Sequence, residues 1–276
     1  MIVESTAVSE VTIINSKLEA KDVALKFGQN GKVKISGASE ITGTSAAIDG
    51  DINTVVNLEN SKVRAQDAAI HGGTNTEINA TGAEITGKKR ALDLGFNANV
   101  ALIQSTVRAE SEAVFCKSNL DLSADGSTIE GGNSGLKSPS LVKVRLVKKS
   151  RLAAKSTAIE SESNLDLTVE DSSVESQDTA IRTKSNPRVR IAKQGKVHGN
   201  KTGLVCEHNL DLAMNEGTLE SSGNAVQCEI NARIDVKKST ISGANAFALS
   251  RAPQSLTVSD DSQLKGAKNF AYKGPR

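Results

Sequence analysis

Tryptophan is absent from the 276 residues, tyrosine occurs once, phenylalanine five times, and aromatics make up only 2% of the chain. A core without aromatics must be assembled from Val, Ile, Leu and Ala, which suits stacked thin layers better than a thick globular centre. Cysteine occurs three times, too few for a disulfide framework. Neither sign of charge dominates: 34 Lys and Arg stand against 32 Asp and Glu, so no strong field steers a polyanion or a membrane. No apolar run approaches the roughly 18 residues that span a bilayer. The opening MIVESTAVSE has neither the basic nor the apolar stretch of a secretory signal. These absences exclude a membrane protein, a secreted disulfide mini-domain and a disordered tail. The expected setting is the cytoplasm, or a larger or virion assembly.

What the chain does have is a repeat. Cut every 22 or 23 residues, it opens twelve units on an aliphatic: Val11, Val33, Val56, Ile78, Val100, Leu122, Val144, Leu167, Val189, Leu212, Ile234 and Leu256. Two residues later runs a second apolar column, Ile13 and Ile35 through Met214, Val236 and Val258. A third follows, from Leu18, Ile41 and Val63 to Leu219, Ile241 and Leu264. Two positions beyond it every unit has a small residue, as in Ala20, Gly43, Ala65, Gly87, Ser221 and Gly266. Then comes an Ala or Gly followed by an aliphatic, as in Ala24-Leu25, Ala69-Ile70 and Gly203-Leu204, and Ala271-Tyr272 closes the series. Apolar residues alternate at period two over short stretches, and no helical spacing is sustained. Each unit therefore reads as about three short strands joined by tight turns. Stacking equivalent strands in parallel gives an all-β, single-stranded β-solenoid, one domain over residues 1–276 and on the order of 58 Å long at about 4.8 Å per coil.

An asparagine column supports this reading. Asn30, Asn53, Asn75, Asn97, Asn119, Asn164, Asn186, Asn209 and Asn231 each stand three residues before an opening aliphatic, and Leu141 and Pro253 break the series. Asn tolerates the left-handed backbone of a turn, and its amide both donates and accepts, so stacked copies can form a hydrogen-bonded ladder. Coils of this length, three strands per coil and an inward asparagine ladder resemble the right-handed parallel β-helix (pectate-lyase-like) superfamily. That group contains polysaccharide lyases, phage tailspikes and adhesin stalks. The resemblance spans the chain but is architectural, so it implies a fold and not an activity.

Charges answer one another along the stack. Asp121, Lys143, Asp166, Arg188, Asp211 and Arg233 occupy one column with alternating sign. A turn column alternates likewise through Lys148 and Lys149, Glu170 and Asp171, Lys193, Glu216, Lys237 and Lys238, and Asp260 and Asp261. Lys17, Glu40, Lys62 and Glu84 do the same near the N-terminus. In a parallel stack, like charges would sit one strand spacing apart and repel, so alternation helps set register. The basic run Lys148-Lys149-Ser150-Arg151 is thereby bracketed by acids of the next coil, and no stacking aromatics accompany it. Nucleic acid and membrane are not expected partners.

Catalytic clusters of the β-helix enzymes are missing. There is no Gly-His-Gly; the nearest run is Val197-His198-Gly199, and Asp260-Asp261 continues the charge ladder in a turn. No acidic pair marks a glycosidase cleft, no neighbouring-coil Asp cluster marks a calcium site, and Tyr272 with scattered Phe cannot line a long saccharide groove. His71, His198 and His208 fall in different columns, as solvated face or turn residues, so no metal site is expected. No catalytic, cofactor-binding or metal-ligating residue is assigned. Cys116, Cys206 and Cys228 share an inward column with Phe27, Leu94, Ser138, Ser161 and Thr183. Cys206 and Cys228 stand in neighbouring coils, as buried thiols or, in an oxidising setting, a disulfide. Thr106, Thr128, Thr218 and Thr240 share a column too interrupted for an ice-binding face.

No amphipathic helix covers either end. A piece of a longer chain, ends covered by partners, or edges blunted by charge are all compatible with that. The expected function is a non-catalytic structural or binding module, a stalk, fibre segment or scaffold presenting a face to a protein partner or self-associating. The alternative is a polysaccharide-binding or polysaccharide-degrading β-helix.

Overall fold

The structure, a computed structural model, describes residues 3–270. The fold is an all-β parallel β-solenoid of about twelve coils, with no helix among the described residues. By its contacts the chain divides into two units, Met1–Ser138 and Pro139–Arg276. Both are built from the same coil. Gly31–Ser36, Glu40–Gly43 and Ala46–Ile52 make up one such coil, and its three strands contribute to what we term the first, second and third faces.

In the first unit, Val11, Val33, Val56, Ile78, Val100 and Leu122 are successive register partners on the first face. Leu18, Ile41, Val63, Ile85, Val107 and Ile129 are partners on the second. In the second unit, Leu167, Val189, Leu212, Ile234 and Leu256 stack on the first face. Leu152, Val174, Val197, Leu219, Ile241 and Leu264 stack on the second. The apolar columns read from the sequence are therefore the columns of the core. Gly31–Ser36 shows the cause, since its alternate residues are buried and the ones between face water. A one-residue slip would turn Val33 and Ile35 outward, so burial itself holds the register.

The corner between the third and first faces carries the asparagines. Asn30, Asn53, Asn75, Asn97 and Asn119 have φ of 51°, 52°, 57°, 59° and 58°. In the first unit each side-chain amide donates to the coil before it, from Asn53 to Asn30 at 2.8 Å, Asn75 to Asn53 at 2.9 Å, Asn97 to Asn75 at 3.0 Å and Asn119 to Asn97 at 2.8 Å. The second unit repeats this from Asn186 to Asn164, Asn209 to Asn186 and Asn231 to Asn209, at 3.2, 2.8 and 2.9 Å.

The ladder exists, but it lies on the outside and not inward as expected: every one of these asparagines is exposed. The apex of a corner is on its convex side, so the left-handed residue points to water and the next residue turns in. Thr54, Thr76, Ala98 and Leu120 fill those inward places and are buried. Thr54 and Thr76 each stand over an inward glycine four positions earlier, Gly50 and Gly72, so that sizes compensate. Phe27 faces Gly31, where an added Cβ would come within 2.5 Å of the Phe27 Cβ and 2.6 Å of the ring's Cγ, and Gly50 faces Thr54, whose methyl would lie 2.5 Å from an added Cβ.

The corner between the first and second faces is also left-handed, at Asn60 and Gln104 among others. Just after it runs a buried serine column that includes Ser39, Ser61, Ser105, Ser127, Ser150, Ser172 and Ser239. Four of these hydroxyls accept backbone N–H groups of the preceding coil as follows: Ser105 from Ala83 at 3.1 Å, Ser127 from Ser105 at 3.0 Å, Ser172 from Ser150 at 3.1 Å and Ser239 from Gly217 at 3.0 Å. At the remaining corner, a side chain on Gly43 would strike the Ala46 carbonyl oxygen, which accounts for the small column there. Near the C-terminus the register shifts after Ser242 and sets Lys268 opposite Phe247. The expected closing pair Ala271-Tyr272 lies outside the described residues.

Candidate functional site

The side chains with most chemistry gather on the third face of the first unit. Asp49, His71, Asp93 and Phe115 are register partners in four successive coils. Ala46–Ile52, Ala68–Thr81, Arg90–Ile103 and Glu112–Asp125 hold them. Nδ1 of His71 donates to the Asp49 carboxylate at 2.7 Å, which leaves Nε2 as the other ring nitrogen of the pair. The hydrogen bond to Asp49 holds the imidazole pKa above its ordinary value; burial opposes it, Asp93 adds to it and Lys117 works against it.

Arg90 knits the neighbouring coils. Its guanidinium donates to Asp93 at 3.0 Å and to Glu112 at 3.3 Å, and its centre lies 4.0 Å over the Phe115 ring. Three residues beyond Asp93 on the same strand, Phe96 is 50% exposed, with Lys117 Nζ 6.0 Å from its ring centre. Gly73 and Gly95 lie in this region so close to the preceding coil that a side chain would strike the carbonyl oxygens of Asp51 and Gly73. Bare backbone therefore separates the His71–Asp93 column from Phe96. Two of the five phenylalanines thus point outward in adjacent coils of one face, while Phe27 and Phe247 are buried.

The histidines are indeed in different columns, yet two of them sit between acids. His198 stands between Glu175 and Glu220 on the second face of the second unit, and its Nε2 is 3.0 Å from the Asn200 side-chain oxygen. Burial, the largest single influence, pushes the Glu175 carboxyl up, but the hydrogen bonds from Arg151 at 2.8 Å and from Ser173, with the charges of Arg151 and Lys196, together outweigh it and leave the group below the usual carboxylate range. An acid–histidine–acid column is a charge ladder with an imidazole as its basic rung. The signal was present in the sequence, because Asp49, His71 and Asp93 are spaced by one coil each. Among the described residues no group of three or more His, Cys, Asp or Glu is arranged to hold a metal.

The other charge ladders form in part: Lys17 and Lys237 pair with Glu19 and Asp235 of their own coils, and Arg233 donates to Gln254, while other rungs join neighbouring coils. Arg188 lies 3.8 Å from Asp166 and 3.5 Å from Asp211. Lys193 reaches Glu170 at 3.2 Å, and Arg151, the end of the basic run, is bound to Glu175. Near the N-terminus Arg64 takes both Glu40, at 2.8 Å, and Glu84, at 3.1 Å, while Lys62 is 3.8 Å from Glu84. Its two carboxylate hydrogen bonds, Glu84's first, raise the Arg64 pKa further. Asp261 accepts a hydrogen bond from the Ser259 hydroxyl, which lowers its pKa. Two surface grooves run along paired charges of this kind: one of about 550 Å³ touches Glu40, Lys62, Glu84 and Arg108, and one of about 310 Å³ touches Asp166, Arg188 and Asp211.

The cysteine column is inward, as read. Phe27, Leu94, Cys116, Ser138, Ser161, Thr183, Cys206 and Cys228 are all buried. No protein-family model matches the chain, and no curated protein or solved structure shows significant similarity to it.

Proposed function

We propose that the chain is a non-catalytic scaffold module, of the right-handed parallel β-helix type, that presents the third face of its first unit to a protein partner. The observation that carries this reading is Phe96, half exposed with Lys117 over its ring, on the same face as the Arg90–Phe115 pair. Aromatic and arginine side chains are the usual anchors of protein interfaces, ringed by polar groups that exclude water. Here Asp49, Asp93 and Glu112 supply that ring. Many charges elsewhere are spent on neighbours in their own columns, which favours register over recognition.

Light scattering on the size-exclusion peak across a concentration series, with cross-linking mass spectrometry, tests the reading. Mass that grows with concentration and cross-links at Lys117, both lost in Phe96→Ser but kept in Ile103→Ser, would support a second copy as the partner. Cross-links confined to other faces, or association indifferent to Phe96→Ser, would overturn it. Phe96 also favours a second reading, since a flat exposed ring can stack on a sugar. Retention on a polysaccharide gel that Phe96→Ser abolishes would select glycan binding, and release of new reducing ends would make the protein an enzyme.

A further inference from the structure

Cys206 and Cys228 occupy one register position on adjacent parallel strands of the second unit, Thr202–His208 and Asn224–Ile230. Parallel neighbours about 4.8 Å apart bring two Cα atoms within the 4.4–6.8 Å range that a disulfide needs. The side chains make use of that proximity: the two Sγ atoms are 2.8 Å apart. Both thiols are buried, at 1% and 2% exposure. Cys116, in the same column, has Leu94 and not a thiol as its register neighbour.

We propose that Cys206 and Cys228 form a redox site, a buried dithiol that closes to an inter-coil disulfide when a hydroperoxide reaches it. The two sulfurs are inequivalent. The Cys206 thiol donates to Cys228, so Cys206 holds its proton and Cys228 ionises first. Burial opposes charge on both sulfurs; backbone hydrogen bonding at Leu210 and Ile230 offsets it at Cys228, while Glu207 and Glu229 add to it at Cys206. Burial pushes the Cys116 thiol up, with no partner thiol to offset it. Thiolate character selects the attacking sulfur.

The chemistry balances with the peroxide as the only oxidant. The Cys228 thiolate attacks the terminal peroxide oxygen, an S–O bond forms and the O–O bond breaks. The alcohol, or water when the oxidant is hydrogen peroxide, leaves with a proton, and Cys228 is now a sulfenic acid oxidised by two electrons. Cys206 Sγ then attacks Cys228 Sγ, forming the S–S bond and breaking the S–O bond. The departing hydroxide takes the Cys206 proton and leaves as water. Two thiols and one hydroperoxide give one disulfide, one alcohol and one water. The product ties together coils 22 residues apart in sequence.

The test uses the full chain and hydrogen peroxide. Reduced protein labelled in denaturant should show three thiols. After mild peroxide the expected count is one, with the intact mass lower by two hydrogen atoms and a proteolytic peptide joining Cys206 to Cys228. Cys116 should remain labelled, and the thermal midpoint should rise and return on reduction. Cys206→Ser should stop at a sulfenic acid on Cys228 that a dione probe traps. Three thiols surviving peroxide, loss of Cys116 at the rate of the pair, or a mass gain of oxygen with no cross-linked peptide would each overturn the proposal. The wild-type thiol count decides the matter even where a serine variant fails to fold.

Discussion

Asn97 shows what one corner residue contributes. It holds a φ of 59°, donates to Asn75 and accepts from Asn119. A left-handed backbone costs an ordinary L-residue roughly 1–2 kcal/mol, and a partly exposed hydrogen bond is worth about 0.5–1 kcal/mol net. Asn97→Gly keeps the backbone and loses the ladder, so denaturant titration should show a loss of about 1 kcal/mol; Asn97→Ala loses both and should cost about twice that. Leu141 is the converse case, a 52% exposed leucine at φ 53° in the same column. Leu141→Asn should stabilise the protein by about 1 kcal/mol in the same titration, because asparagine relieves the backbone cost. His71 has a raised pKa through Asp49. A group whose folded pKa lies above the unfolded value of about 6.5 contributes most below that value and loses its contribution as pH rises through the folded pKa. Wild-type thermal stability should therefore fall relative to His71→Gln from about pH 6.5 upward, and the imidazole resonance should titrate above the free-histidine midpoint.

At the scale of the element, the strands are short and similar, so the corners differentiate the coils. The buried serine column is the corner device that periodicity alone did not single out. Its residues were visible in the sequence, two positions before most third-column aliphatics (Ala83, Gly195 and Gly217 interrupt the series), but a serine in a turn has many local uses. Only the packed stack shows the hydroxyl turned inward onto the N–H of the coil before. Ser105 accepts from Ala83 and donates to the Ile103 carbonyl at 2.9 Å, whereas the buried Ser61 hydroxyl has no partner. Ser105→Ala should cost about 1–3 kcal/mol by stranding a buried donor and should speed amide exchange at Ala83. Ser61→Ala should be nearly neutral by the same measurements.

Across the whole molecule the coil is the unit of construction, and stability is expected to be close to a sum of nearest-neighbour terms. Asn53, Asn75, Asn97 and Asn119 are evenly spaced after Asn53, with 22 residues between successive ladder bonds. Deleting residues 75–96 removes one coil and brings Asn97 to the place of Asn75. That variant should keep its β circular dichroism and cooperative melting while losing Phe96 and Arg90, and with them any partner binding. Deleting half as many residues should lower the melting temperature sharply and split the transition, because the shortened coil cannot bring its columns opposite those of either neighbour.

Column membership, the left-handed asparagine corner, the alternating charges and the burial of all three cysteines follow from the sequence by itself, because each depends on spacing along the chain and a repeating coil converts spacing into adjacency. The side of the corner on which the asparagines lie does not follow, since it depends on which flank of a bend is convex. Nor do the choice of Arg64 over Lys62 as partner for two glutamates, the embrace of Asp93, Glu112 and Phe115 by Arg90, or the approach of the Cys206 and Cys228 sulfurs. Those are decided by the reach and rotamers of side chains on a packed surface, where a few ångströms separate a partner from a neighbour, and only the tertiary structure sets them.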